Sequence, residues 1–363
     1  VLWLLLEWYG AASEVSWLFL LASWIAAVIV VAAGYALWNR GLRLRLAIAR
    51  AWPAVDSPVR DLPESVLRQA PRSGPIFEGD SFEVVVRLET AGAARGPAFV
   101  SGDVSGLRVA FGTAIVPRRG WQRSRSIHAL RRSPIGAAGW TVRTGDPLGF
   151  FRGSLAVADT EVGLVLPRFV SLAGRRQTRE LEAATAAHRA GAGTELFGVR
   201  EFRPGDSLRR IHWRTTARRG ELVVREYEPP GMQTLALLVD PSPRTRRVAD
   251  QVARIAASEA WDCIREGGRV VLWGPGLLST EPAHGRDLWA LLEWLARYPG
   301  APGDDAAPAA TETVMVTGFA DERLVEAVEA ARRQGSRARA WVVGDAELDV
   351  DVPVERAGLE WPL

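Results

Sequence analysis

The chain has 363 residues, enough for two or three domains with their own cores, and 48% of them are apolar. Its formal charge is only +3 although its pI is near 9.6, because every one of the 45 basic residues is arginine. That surplus is small and scattered, which argues against a phosphate-tracking stripe. One cysteine, Cys263, excludes an intramolecular disulfide and a cysteine-built metal site.

The first 46 residues read as a membrane anchor. Trp17–Trp38 contains no charge and would span roughly 33 Å as a helix at about 1.5 Å per residue, enough for a bilayer core. Trp17 stands at one end, Tyr35 and Trp38 at the other, as interfacial aromatics do. Arg40, Arg43, Arg45 and Arg50 follow, against Glu7 and Glu14 before it, so the positive-inside bias puts the rest of the chain in the cytoplasm. Residues 1–10 are apolar but too short to span. They read as part of a first transmembrane helix, making a hairpin with the second; a single signal-anchor is the alternative.

Residues 54–168 show short alternating runs such as Ser81–Thr90, broken by Gly, Pro and Asp, and predict an antiparallel β-sandwich of about seven strands. Within them Asp146-Pro147-Leu148-Gly149-Phe150-Phe151 predicts a tight turn, Pro147 fixing φ and Gly149 taking the left-handed conformation. Residues 175–193 predict a short helix or strap, the first part of a linker and signature segment running to residue 231.

That segment holds Arg200, Arg203, Gly205, Asp206, Arg210, His212, Trp213, Arg218, Arg225 and Glu226. Arginines beside a tryptophan could bind phosphate or stack on bases. They alternate with carboxylates, however, and an ion-pair network tying the segment to its neighbour satisfies the same residues. His212 beside Trp213 suits a hydrogen-bonding core residue better than a catalyst.

From residue 232 to 363 the rhythm becomes strand, helix, strand. Leu235–Asp240 and Arg269–Trp273 are continuous apolar runs, as strands buried on both faces should be. Helical spacing covers Val248–Glu266, Arg286–Tyr298 and Asp321–Gln334, and Cys263 falls on the apolar face of the first, a buried thiol. The pattern predicts a doubly wound, mainly parallel sheet, whose ligands would bind beyond the carboxyl ends of its strands. Asp240 occupies such an end, followed by Ser242 and Arg244.

The order Arg203-Pro204-Gly205-Asp206, Arg210-Ile211-His212-Trp213, Ala217-Arg218 and Val224-Arg225-Glu226 resembles the bacterial family called domain of unknown function 58. His212 stands where that family usually has aspartate, and Arg214 where it commonly has lysine. Asp146–Phe151 resembles the family's Asp-Pro-Phe-Gly-Leu motif. Asp240-Pro241-Ser242-Pro243-Arg244 resembles the first loop of a von Willebrand factor A domain, where Asp-x-Ser-x-Ser supplies oxygens to a divalent cation. Asp240 and Ser242 suit Mg²⁺; Arg244 replaces the second serine with a cation, and Gly318 stands where a later acid would be, so the metal site reads as degenerate. Arg244 is then expected to substitute for the metal, reaching Asp240 or a partner's carboxylate. Asp321 reads as a helix-capping residue.

The resemblance implies a membrane hairpin, β-sandwich and von Willebrand factor A-like domain at the bacterial inner membrane, partnered by a MoxR-type AAA+ ATPase. No nucleophile elbow, Walker loop or His-Glu-x-x-His is present, and the histidines at 128, 188, 212 and 284 form no catalytic spacing. The expectation is therefore a non-enzymatic adaptor without a resident cofactor. It would contact the lipid bilayer and the ATPase but not nucleic acid. The alternative is a metal-dependent enzyme or nucleic-acid-binding protein centred on the Arg/Trp segment.

Overall fold

The computed structural model describes residues 2–13, 16–71, 74–174, 199–201, 223–225, 234–273, 288–299, 310–319 and 321–362. It divides into two units, Val1–Arg168 and Phe169–Leu363.

The first unit opens with α1 (Leu2–Ser13) and α2 (Ser16–Trp38). They meet at Gly10, where an added Cβ would lie 3.2 Å from the Leu18 Cβ. Extended through the following turn to Gly41, α2 is long and apolar enough to cross a bilayer, with a mean hydropathy of 2.3 and most of its surface uncovered. A short turn, Asn39–Gly41, carries the chain out of α2. The buried Asn39 side chain locks that exit: its Nδ2 donates to the Gly96 and Gly145 carbonyls, both at 3.0 Å, and its Oδ1 accepts from Gly96 N at 3.0 Å. Trp38 Nε1 donates to the Ala94 carbonyl at 3.3 Å, and the Arg95 guanidinium lies 5.4 Å from the Trp38 ring.

Strand β1 (Leu42–Trp52) follows at once. The sheet therefore begins before residue 54, and Arg43, Arg45 and Arg50, expected as residues flanking the membrane helix, belong to this strand. Leu44, Leu46 and Ile48 pack on the core while the arginines alternate with them, as the period of two requires. A one-turn helix, α3 (Glu64–Leu67), precedes β2 (Ile76–Phe77), β3 (Ser81–Thr90), β4 (Ala98–Val104) and β5 (Leu107–Thr113). The unit closes with β6 (Trp121–His128), β7 (Ser133–Gly145), β8 (Arg152–Ala156) and β9 (Thr160–Leu166).

These strands form a three-stranded antiparallel sheet, β1-β3-β6, and a six-stranded sheet, β2-β9-β7-β4-β5 with β8 on β7, rather than about seven strands. Phe82, Val84, Val86 and Leu88 of the first share one apolar core with Val100, Val104, Ile135, Trp140 and Val142 of the second. Burying such side chains stabilises the fold by about 1.5–3 kcal/mol each. Gly102 is required beneath Trp140, since a Cβ there would sit 2.3 Å from the indole.

Between β7 and β8 the Asp146–Phe151 segment is a tight turn, as expected. Asp146 organises it: Oδ2 accepts from Leu148 N at 2.9 Å and Oδ1 from Phe151 N at 2.6 Å. Gly149, at φ +80°, closes on the Asp146 carbonyl at 3.1 Å. Burial opposes ionisation of Asp146, but the N–H groups of Phe151, Leu148 and Phe150 outweigh it and hold the carboxyl below its usual range.

In the second unit Phe169–Leu172 is tied to a long helix, α4 (Arg246–Arg265). Val170 N donates to Ser258 Oγ at 3.1 Å and Leu172 N to Asp262 Oδ2 at 2.7 Å, while Phe169 and Trp261 pack at 5.7 Å. Strands β10 (Val199–Glu201) and β11 (Val223–Arg225) pair antiparallel. There follow β12 (Thr234–Val239), α4, β13 (Arg269–Trp273) and α5 (Leu288–Arg297). The chain ends with β14 (Glu312–Thr317), α6 (Glu322–Arg333), β15 (Arg337–Val343) and β16 (Val354–Ala357), the last not expected from the sequence.

The sheet order is β13-β12-β14-β15-β16, and every pair is parallel. Leu324 and Val328 of α6 pack on one face with Leu238, Met315 and Ala340. The other face is pinned to α4 by Glu259, which is fully buried and accepts from Arg339 and, at 2.8 Å, from Trp341 Nε1. Burial works against the Arg339 charge, but Glu259 and Glu312 outweigh it and push its pKa up. Cys263 is buried on α4, as its position on the apolar face predicts.

Candidate functional site

Strand β12 is apolar and buried from Leu235 to Val239, with a neighbour on each side, β13 and β14. Its successors in the chain go to opposite sides, so the order reverses between β12 and β14. Open α/β sheets bind ligands beyond the strand ends at such a reversal. Asp240 and the Thr317–Phe319 loop stand at the ends of β12 and β14 at this place.

Asp240 has no exposed surface. Its Oδ1 accepts from Ser242 N at 2.9 Å, the local loop bond of an aspartate at a turn. Its Oδ2 accepts from Gly318 N at 3.1 Å and lies 3.5 Å from Thr317 Oγ1. The Tyr298 hydroxyl donates to the Asp240 carbonyl. Burial is the main influence on this carboxyl and raises its pKa; the Ser242 and Gly318 amides oppose that, and the charge of Asp321 adds to it.

Gly318 has a steric role. A Cβ at this position would lie 2.3 Å from Val248 Cγ1 and 3.6 Å from Asp240 Oδ2. The strand-end loop can thus approach α4 only without a side chain. Thr245 caps α4, its hydroxyl accepting from Val248 N at 3.3 Å. Asp321 caps α6, accepting from Arg323 N at 2.9 Å and Leu324 N at 3.4 Å, the role expected of it.

Asp240, Ser242 and Arg244 do fall in one loop, as anticipated. Arg244 is exposed and lies over the Phe319 ring at 5.0 Å; among the described residues it forms no ion pair with Asp240. It bridges the loops by a cation–π contact instead of neutralising the carboxylate. Arg200 and Arg225 fall on β10 and β11, opposite Val224 and Val199. Arg203, Gly205, Asp206, Arg210, His212, Trp213, Arg218 and Glu226 lie outside the described residues, as does the strap over residues 175–193.

The donor set around Asp240 is thin for a hard cation. One carboxylate, the Thr317 hydroxyl and the exposed Ser242 are its oxygens, and among the described residues no three His, Cys, Asp or Glu side chains gather anywhere. Both Asp240 oxygens already serve backbone amides. These residues do not fit Mg²⁺ held by this chain's side chains alone.

The loop holding Thr317, Gly318 and Phe319 was expected at this site only for the acid it lacks; the roles of Thr317, Phe319 and Tyr298 were not foreseen, because contacts made through sheet register carry no local signal.

Over 141 residues the chain is 27% identical to the "Uncharacterized protein YeaD" of Bacillus subtilis (strain 168), an overlap of 38% of this chain and 34% of that protein. The chain thus spans about a third of the length of the curated relative it matches. Residues 198–344, from the start of the β10–β11 pair through β15, match the family described as "Protein of unknown function DUF58".

Proposed function

We propose that this protein is a membrane-anchored scaffold whose α/β unit binds a protein partner through the loops at the β12/β14 strand ends. The observation that carries the reading is the arrangement around Asp240. Its carboxylate is consumed in holding two loops together, and those loops present Arg244 and Phe319 at the rim. Exposed arginine stacked on an aromatic ring is the kind of group that anchors protein interfaces.

The anchor rests on the length and apolar composition of α2, and the positive-inside bias of Arg40 and the arginines of β1 supports soluble units on the cytoplasmic side of an inner membrane. The two sheets sharing one core support the β-sandwich reading of the first unit. The parallel sheet with Asp240 at the end of its first strand supports the von Willebrand factor A-like reading of the second. The partner is the MoxR-type AAA+ ATPase that the family resemblance implies, and the protein acts on it without catalysis or a metal of its own.

The test is capture of the purified ATPase by the full chain held in lipid nanodiscs, with Mg²⁺ or with chelator. Binding in both conditions, weakened by Arg244→Ala, is the expected result. Absence of binding in both conditions would overturn the adaptor reading, and dependence on Mg²⁺ not traceable to the ATPase would restore a metal site at Asp240.

A further inference from the structure

The turn between β7 and β8 carries two large apolar side chains that the fold leaves uncovered: Leu148 is 64% and Phe150 62% exposed. On a soluble face such side chains would be scattered and unremarkable. Here Leu148 is continuous with α2. Asp146 and Leu148 line one groove of about 400 Å³ with Trp24, Val28, Val31 and Tyr35 of that helix. The position is fixed, because Asn39 bonds the end of α2 to Gly145, the last residue before the turn. Val31 lies about 10 Å along the helix from Trp38, at about 1.5 Å per residue. The groove's lining begins nearer the helix end, at Tyr35, so a turn beside it can reach the depth to which interfacial apolar faces sink, about 5–10 Å into the headgroup–acyl boundary.

We propose that the Asp146–Phe151 turn is a second membrane-contacting element, inserting Leu148 and Phe150 into the headgroup–acyl boundary beside α2. The inference rests on the reading of α2 as a membrane span. Two further observations fit lipid as the occupant. Backbone nearing a bilayer is favoured when its polar groups are paired internally, and this turn pairs several of its N–H groups: Leu148 N and Phe151 N donate to the Asp146 carboxylate, Gly149 N to the Asp146 carbonyl, and Asp146 N to the Phe151 carbonyl. Exposed Arg143 and Arg152 line the neighbouring groove with Phe99 and Phe151, so cations of the kind that meet anionic lipid headgroups stand beside the apolar tip.

The experiment places a single environment-sensitive fluorophore on the full chain in vesicles of phosphatidylethanolamine and phosphatidylglycerol. The lone native cysteine is removed by Cys263→Ala, and Leu148→Cys or Phe150→Cys supplies the label. Val30→Cys on the exposed flank of α2 and Val55→Cys beyond the far end of β1 serve as controls. The expected result is quenching at 148 and 150 by nitroxides on the lipid acyl chains, comparable with that at 30, and protection from aqueous iodide, with the reverse at 55. Lipid quenching at 30 but iodide quenching at 148 and 150 would overturn the insertion and leave the span intact. Protection from both quenchers at 148 and 150 would mean that protein covers the turn, which also overturns it. Failure of lipid quenching at 30 would overturn the span and the insertion together.

Discussion

Asp146 and Asp240 each stand just past the end of a strand, and each takes backbone amides onto its carboxylate, yet the two environments push them in opposite directions. At Asp146 the donors come from the residues of its own turn, and they hold the carboxyl below its usual range despite burial. At Asp240 the donors come from two different loops, one after β12 and one after β14, and burial at the end of a central strand prevails, raising the carboxyl. An aspartate that folds its own turn is an ionised, local device. An aspartate that joins two segments far apart in sequence is a tertiary one, held where its charge is costly.

The largest effect expected is at Asp240. Removing its carboxylate by Asp240→Ala orphans the Ser242 and Gly318 amides in a site with no exposed carboxylate surface, and should cost about 2–3 kcal/mol. A thermal melt of the full chain in detergent would show the α/β unit unfolding earlier. If its transition did not move, the carboxylate would not be the clamp described. Next, Gly318→Ala should cost about 1–3 kcal/mol by forcing a methyl group against Val248. Unchanged melting there would mean the loops are not held as closely as the geometry has them.

The pH dependence separates the two aspartates by sign. Folded Asp240 keeps its proton to higher pH than the unfolded chain does. Its contribution is therefore favourable at acid pH and declines as pH rises above about 4, the unfolded value, levelling once the folded group ionises. Asp240→Asn should abolish that decline. Asp146 behaves the other way, its contribution being present above about pH 4 and lost as pH falls below it. Melting curves of Asp240→Asn and Asp146→Asn across pH 3–7 would reveal both, and slopes of the same sign would break the comparison. The smallest effect expected is that of Asp146→Ala on the whole fold. It should speed amide exchange at Leu148 and Phe151 while leaving the sheet amides protected.

These contrasts explain what the sequence made legible. The Asp146 turn could be read because all its parts are consecutive: aspartate, proline, and a glycine at the left-handed position. The buried strands of the α/β unit were legible because continuous apolar runs suit a sheet covered on both faces, and Asp321 because a helix cap is local. The β1 strand was not foreseen, although Leu44, Leu46 and Ile48 alternate with arginines. Those arginines also satisfied the charge rule for the end of a membrane helix, and that reading claimed them first. Short β16 carries too few residues to show a period. At the candidate site, Asp240, Ser242 and Arg244 are neighbours in sequence and were read together. Thr317 and Phe319 reach them through the pairing of β12 with β14, and Tyr298 through the end of α5. Contacts made by sheet register leave no local pattern.

The central claim is that the strand-end loops bind a protein partner while Asp240 serves only to hold them. The most direct test is the affinity of the MoxR-type ATPase for the full chain in nanodiscs, compared between Arg244→Ala and Asp240→Asn. The account predicts that Arg244→Ala weakens binding and that Asp240→Asn, which keeps the shape of the side chain, largely preserves it. Loss of binding with Asp240→Asn and none with Arg244→Ala would contradict the account and return the carboxylate charge to the centre of the site.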